Sequence, residues 1–229
     1  MRKKNLFLAL LAMVLVCAIS VTGTMAYLTI TTGEVKNTFI AAGGGDLAKS
    51  LELKEHQPTK DTYGVYKIAS GASEVTSFSY DVIPDVALEK DPFIRVVDKT
   101  DAPAYLYVEV VNGMGDKLTF TMDTCWKELS GFVGPNQGKV YVYSDGTNPI
   151  VVTDETAAVA SGVNIIKDKK VNVANVTDVN DLGLGDDGVT LKFYGYLAQA
   201  SVTSNGENST GADAVYKACF TYTNDPVTP

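Results

Sequence analysis

The sequence predicts an all-β protein: an antiparallel β-sandwich of jelly-roll type carrying one or two short helices. Three observations predict it. β-Branched and aromatic residues gather in short runs, and Gly, Asp and Asn fill the gaps between runs. Long amphipathic helical patterns are scarce. Apolar residues make up 45% of the 229 residues, enough for the shared core that two facing sheets require.

The first segment is not part of that sandwich. Arg2, Lys3 and Lys4 form a basic start, and Leu6–Ile19 is an unbroken apolar run. Thr24-Met25-Ala26 then offers small side chains at the two positions a signal peptidase must accommodate. Residues 1–26 therefore read as a secretory signal, cut between Ala26 and Tyr27. The run is shorter than the ~20 apolar residues that span a bilayer. The competing reading is an uncleaved anchor, since no charge appears until Glu34. A lipoprotein is excluded, because Val16 precedes Cys17 where a small residue is needed.

Residues 27–45 form an N-terminal segment with a Gly43-Gly44-Gly45 hinge. Tyr27–Ile40 is charge-poor and rich in Thr, so it suits a donor strand that completes the sheet edge of another molecule. Leu28, Ile30 and Phe39 would be its inward anchors. Addition of this kind runs head to tail and builds filaments. The same alternation also suits a first strand folded back on its own sandwich, and both readings stand.

Residues 46–229 carry the sandwich. Phe78, Tyr80 and Val82 alternate with polar residues before Pro84. Phe93–Val97 follows Asp91-Pro92. Ala104, Leu106, Val108 and Val110 share one face of the clearest strand. Leu118–Met122, Lys139–Asp145, Pro149–Thr153, Lys170–Val176 and Gly188–Ala200 continue the series, with turns at Asn112-Gly113 and Asp145-Gly146. Asp213–Phe220 reads as a short helix and Glu155–Ala160 as a turn of another.

The chemistry is sparse. Without residues 1–26 the chain has 16 Lys+Arg against 27 Asp+Glu, an acidic balance that disfavours nucleic acid and anionic membranes as partners. His56 is the single histidine, so a zinc site of the His-Glu-x-x-His type is absent from the sequence. Cys125 and Cys219 read either as two buried thiols or as one disulfide made after export. Asp178, Asp181, Asp186 and Asp187 are the richest cluster of oxygen ligands, yet their spacing is not that of a calcium loop, and a solvated acidic loop is the simpler reading. The Gly43–Gly45 run lacks the Lys-Ser/Thr of a phosphate loop, and no cofactor is indicated. Tyr63, Tyr66, Tyr141, Tyr143, Tyr194 and Tyr196 offer an aromatic platform for a glycan, or else pack within the sheets.

Patches along the chain resemble the TasA/camelysin family of exported proteins of Gram-positive bacteria. The residues that carry the resemblance begin with Gly23-Thr24-Met25-Ala26-Tyr27-Leu28-Thr29, then Asn37-Thr38-Phe39 and Leu51-Glu52-Leu53. They continue with Lys90-Asp91-Pro92, Ala104-Tyr105-Leu106-Tyr107-Val108, Trp126–Leu129 with Val140–Tyr143, Tyr196–Gln199 and Ala212–Val215. Ile30 stands where Asp is usual and Asp85 where Gly is usual. The resemblance implies cleavage by a SipW-type signal peptidase, secretion to the cell surface or biofilm matrix, and a structural, non-enzymatic role in homopolymeric fibres, with other matrix or surface proteins as further partners. Members named camelysin imply the alternative of a metallo-endopeptidase. A surface adhesin or glycan-binding module is the remaining rival.

Overall fold

The computed structural model describes residues 29–32, 39–42, 51–97, 103–153, 157–176, 179–182, 189–204 and 207–220. The strands are β1 (Thr29–Thr32), β2 (Phe39–Ala42), β3 (Leu51–His56), β4 (Thr59–Lys60), β5 (Tyr66–Lys67), β6 (Glu74–Val75), β7 (Leu88–Glu89), β8 (Phe93–Val96) and β9 (Ala104–Asn112). They continue with β10 (Leu118–Met122), β11 (Trp126–Val133), β12 (Lys139–Tyr143), β13 (Val151–Val152), β14 (Val163–Asn164), β15 (Ile166–Val173), β16 (Leu191–Gln199), β17 (Ser201–Ser204) and β18 (Glu207–Thr210). Every pairing among them is antiparallel. The antiparallel sandwich expected from the sequence is the fold observed.

The main sheet runs β11-β12-β9-β16-β1-β2, with β13 also paired to β9. Its spine is the β9–β16 ladder, in register from Ala104 opposite Gln199 to Asn112 opposite Leu191. Two smaller sheets, β14-β8-β3-β6 and β10-β15-β7, supply the second layer. Alternation decides what lies between the layers. Ala104, Leu106, Val108 and Val110 of β9 and Phe193 and Leu197 of β16 join Leu51, Leu53, Ile94, Val96, Ile166 and Val171 in one buried core. The single face predicted for β9 is therefore the face turned to the second layer.

The opposite face of the main sheet is buried as well. Tyr107, Leu129, Val140, Val142, Tyr194, Tyr196 and Ala198 pack against Ala212, Val215 and Tyr216. Those last three belong to the helix Ala212–Phe220, which starts one residue before the predicted one. The Tyr107 hydroxyl donates to the Ala212 carbonyl at 2.9 Å, fastening the first turn of the helix to the sheet and satisfying a buried phenol. Tyr216 and Phe220 stack at 4.9 Å between centroids, and Phe220 also meets Tyr107 and Tyr196. The second predicted helix is the single turn Ala157–Ala160, whose Val159 enters the core between the layers.

One predicted strand is not a strand. Residues 77–84 carry no ladder. Phe78, Tyr80 and Val82 still turn alternately onto the core, and Phe78, Tyr80 and Tyr66 meet edge to face at 5.0–5.6 Å. Alternating burial needs only an extended chain over an apolar surface; a strand also needs a neighbour for its backbone.

Glu109 is the one acid of β9, and the opposite-face alternation buries it completely. The loop between β11 and β12 closes over it. Glu109 Oε1 accepts the backbone N–H groups of Asn136 and Gly138, each at 2.8 Å, and Oε2 accepts Asn136 Nδ2 at 3.0 Å. The Tyr196 hydroxyl also donates to Oε2. A Cβ at Gly134 would fall on the Glu109 carboxylate, and one at Gly138 would lie 2.6 Å from the Val110 carbonyl oxygen. Glycine at these two positions is what lets the loop reach the carboxylate. Gly134→Ala should destabilise the protein by about 2–3 kcal/mol through this overlap. Glu109→Ala should cost at least about 3 kcal/mol by leaving several buried donors without an acceptor. Urea denaturation of both variants measures the two losses.

Candidate functional site

The sheet edge beyond β16 holds the part of the N-terminal segment that the structure describes. β1 pairs with β16 from Thr29 opposite Ala198 to Thr32 opposite Gly195. β2 returns along β1 from Phe39 opposite Thr32 to Ala42 opposite Thr29, and it ends the sheet. In this structure the described part of Tyr27–Ile40 lies on the chain's own sheet, with β1 on β16 and β2 on β1. Of the anchors, Ile30 lies opposite Leu197 and Phe39 opposite Thr32, while Leu28 lies outside the described residues. Ala26, Tyr27 and Gly43–Gly45 lie outside them too. The β1 ladder is four residues long against nine for β9–β16, so this hairpin is held to the sheet by few backbone hydrogen bonds.

A second polar centre sits where β3 ends. Its alternation points Leu51, Leu53 and Glu55 inward, which places a carboxylate where a third apolar side chain would be expected. Lys90, between β7 and β8, reaches Glu55 Oε2 at 2.5 Å. Both side chains are nearly enclosed, 12% exposed for Lys90 and 2% for Glu55. Glu55 Oε1 has no hydrogen-bond partner, nor has the buried Tyr80 hydroxyl. Burial pushes the Glu55 carboxyl above its ordinary range, Lys90 opposing. Burial also raises the Tyr80 phenol, with the charge of Glu55 adding to it.

The neighbouring Asp91 is fully buried. It accepts the His56 backbone N–H at 2.9 Å and faces His56 Nδ1 at 2.8 Å, and the Lys169 ammonium lies at 3.3 Å. His56 is thus the last residue of β3, and its ring packs on Phe93 at 5.1 Å. Neither Glu55 nor Asp91 stands out in the sequence as a buried acid. The signal was there: Leu51, Leu53 and Glu55 share one parity.

The other predicted site residues separate. Cys125 and Cys219 carry thiols and are not bonded to each other. Cys125 packs against the core between the layers and Cys219, in the helix Ala212–Phe220, against the cluster on the other face of the main sheet. That separation corrects the disulfide reading. Asp181 is exposed in a single 3-10 turn, Val179–Leu182, while Asp178, Asp186 and Asp187 lie outside the described residues. Among the described residues no three His, Cys, Asp or Glu side chains are grouped to hold a metal ion. The aromatic platform does not form. Tyr66, Tyr143, Tyr194 and Tyr196 are buried, Tyr141 is half-buried, and Tyr63 is exposed.

No protein-family model, curated protein or solved structure matches this chain.

The cysteine placement has a measurable consequence. Burial pushes the Cys125 thiol up to about 12, with Asp123 adding to the shift. At pH 8 it stays protonated in the folded protein, whereas an exposed thiol is partly ionised. Iodoacetamide at pH 8 should label Cys125 at least about tenfold more slowly in native than in urea-unfolded protein, with peptide mapping to follow the site.

Proposed function

We propose that this chain is an exported structural protein of the cell surface or matrix, which self-assembles by exchanging its N-terminal hairpin between copies. The observation that carries this reading is the placement of β1 and β2 as the last two strands of the main sheet, with β1 on β16. A strand that seats on its own sheet by a four-residue ladder can seat on a second copy in the same register. No new surface is needed, because the acceptor edge already exists in each copy. The donor sequence carries few charges that would deter pairing: Glu34 and Lys36 fall between β1 and β2, and neither strand contains any. The leader pattern of residues 1–26 and the resemblance at the Ala26–Tyr27 seam support export. The acidic balance keeps separate copies soluble before exchange.

Purified from culture, the protein should begin at Tyr27 by N-terminal sequencing. Electron microscopy and light scattering should then find filaments with the complete mature chain and none with a version lacking Tyr27–Ile40. Two equally monomeric forms would remove strand exchange as the mechanism. A retained leader would replace the exported protein with a tethered one.

A further inference from the structure

Two carboxylates occupy inward positions on strands, and the fold treats them differently. Glu109 is answered by two backbone N–H groups, an amide and a phenol. Glu55, 1% exposed, is answered by Lys90 alone, and its Oε1 has no partner. Burying an ion pair gains little unless the remaining lone pairs are satisfied. Here one oxygen is left over, and so is the hydroxyl of Tyr80, whose ring lies 5.2 Å from the same ammonium. The pair is poorly arranged as a salt bridge and well arranged for something else.

We propose that Lys90 and Glu55 condense into an intramolecular isopeptide bond, an amide from Nζ to Cδ. With Nζ 2.5 Å from Oε2, Nζ is no more than about 3.7 Å from Cδ, given a C–O bond near 1.23 Å. That is close to the separation of a near-attack conformer. The proposal does not depend on whether the chain assembles.

The step balances without an oxidant, a metal or an activating group. The Lys90 ammonium passes a proton to Glu55 Oε2, leaving an amine beside a carboxylic acid. Burial favours this neutral pair, since it raises the Glu55 carboxyl. The amine lone pair forms the Nζ–Cδ bond while the carbonyl π pair moves onto Oε1. Tyr80 Oη, a donor with no other acceptor, is the group at hand for the oxyanion. One proton then moves from Nζ to the Oε2 hydroxyl. The Cδ–Oε2 bond breaks with its electron pair, and water leaves. Two buried charges become one neutral amide. Its carbonyl oxygen is the former Oε1. The amide ties the end of β3 to the β7–β8 connection across a sequence separation of 35 residues.

The test is the mass of the full mature chain, purified folded and then denatured. The expected mass is lighter than the sequence by one water. Trypsin should fail to cut after Lys90, and a branched peptide should join Glu55–Lys60 to Ile68–Arg95. Lys90→Met should restore the full sequence mass. Glu55→Gln should reach the same final mass as the native chain, because it loses ammonia in place of water. Tyr80→Phe should slow the reaction. An intact mass equal to the sequence with clean cleavage after Lys90 would overturn the proposal. So would a water loss that maps elsewhere, for example to Asp145-Gly146. The native chain alone decides the question, so a variant that fails to fold leaves the test whole.

Discussion

The structure depends on one ladder buried on both faces. β9 and β16 pair over nine positions at the centre of the main sheet. One face meets the second layer and the other meets the helix Ala212–Phe220. Most antiparallel sandwiches leave an outer face to water, and alternation then reads hydrophobic in, polar out. Here the outer face cannot be polar in the ordinary way. Beside Leu129, Val140, Val142 and Ala198 it carries tyrosines whose rings pack and whose hydroxyls need partners, and one glutamate. The Tyr107 hydroxyl finds the first carbonyl of the helix; the Tyr196 hydroxyl finds Glu109. Glu109 in turn requires donors, and the loop Gly134–Gly138 supplies them from its backbone. The helix position and the loop conformation both follow from burying that second face.

This explains which parts of the fold could be read in the sequence. The inward set Ala104, Leu106, Val108 and Val110 was legible because it is aliphatic at strict period two. The helix was legible from Asp213 onward because it interrupts a long strand-rich stretch. The second buried face was not, since Tyr105, Tyr107 and Glu109 have the composition of an outward face. A tyrosine counts as apolar or polar according to whether its hydroxyl has a partner, and that partner lies 105 residues away in the case of Tyr107. The same ambiguity undid the aromatic platform. Tyrosines at 66, 143, 194 and 196 were available to bind a glycan only if the sheets left them exposed, and they do not. The cysteines failed for a related reason. Nothing in the spacing of Cys125 and Cys219 says that a sheet lies between them.

The candidate assembly edge was legible in part. Charge-poor sequence and β-branched residues indicate a strand, but the partner of that strand is a question of topology. Its partner is β16, whose other edge is taken by β9. β16 thus has one firm neighbour and one short one. Exchange between copies conserves the ladder hydrogen bonds, so the balance between closed monomer and filament rests on the ordering of the connecting segment and on concentration. Four ladder positions make a weak restraint on either state, and a weak restraint is what a reversible exchange requires.

The two inward glutamates give the last step. A buried carboxylate has three ways to become tolerable: acquire enough donors, take up a proton, or cease to be a carboxylate. Glu109 follows the first, at the cost of a loop that only glycine at 134 and 138 allows. Glu55 has one donor at bonding distance, an upward-shifted carboxyl, an orphan oxygen and an orphan phenol beside it. The second way, with Lys90 as the source of the proton, leaves an amine against a carboxylic acid, with the acid's Oε1 still unanswered. Condensation makes that neutralisation permanent, because the amide cannot return the proton to the lysine. A β3 end fixed covalently to the β7–β8 connection would also brace the second layer where β3 packs on β16 and β1.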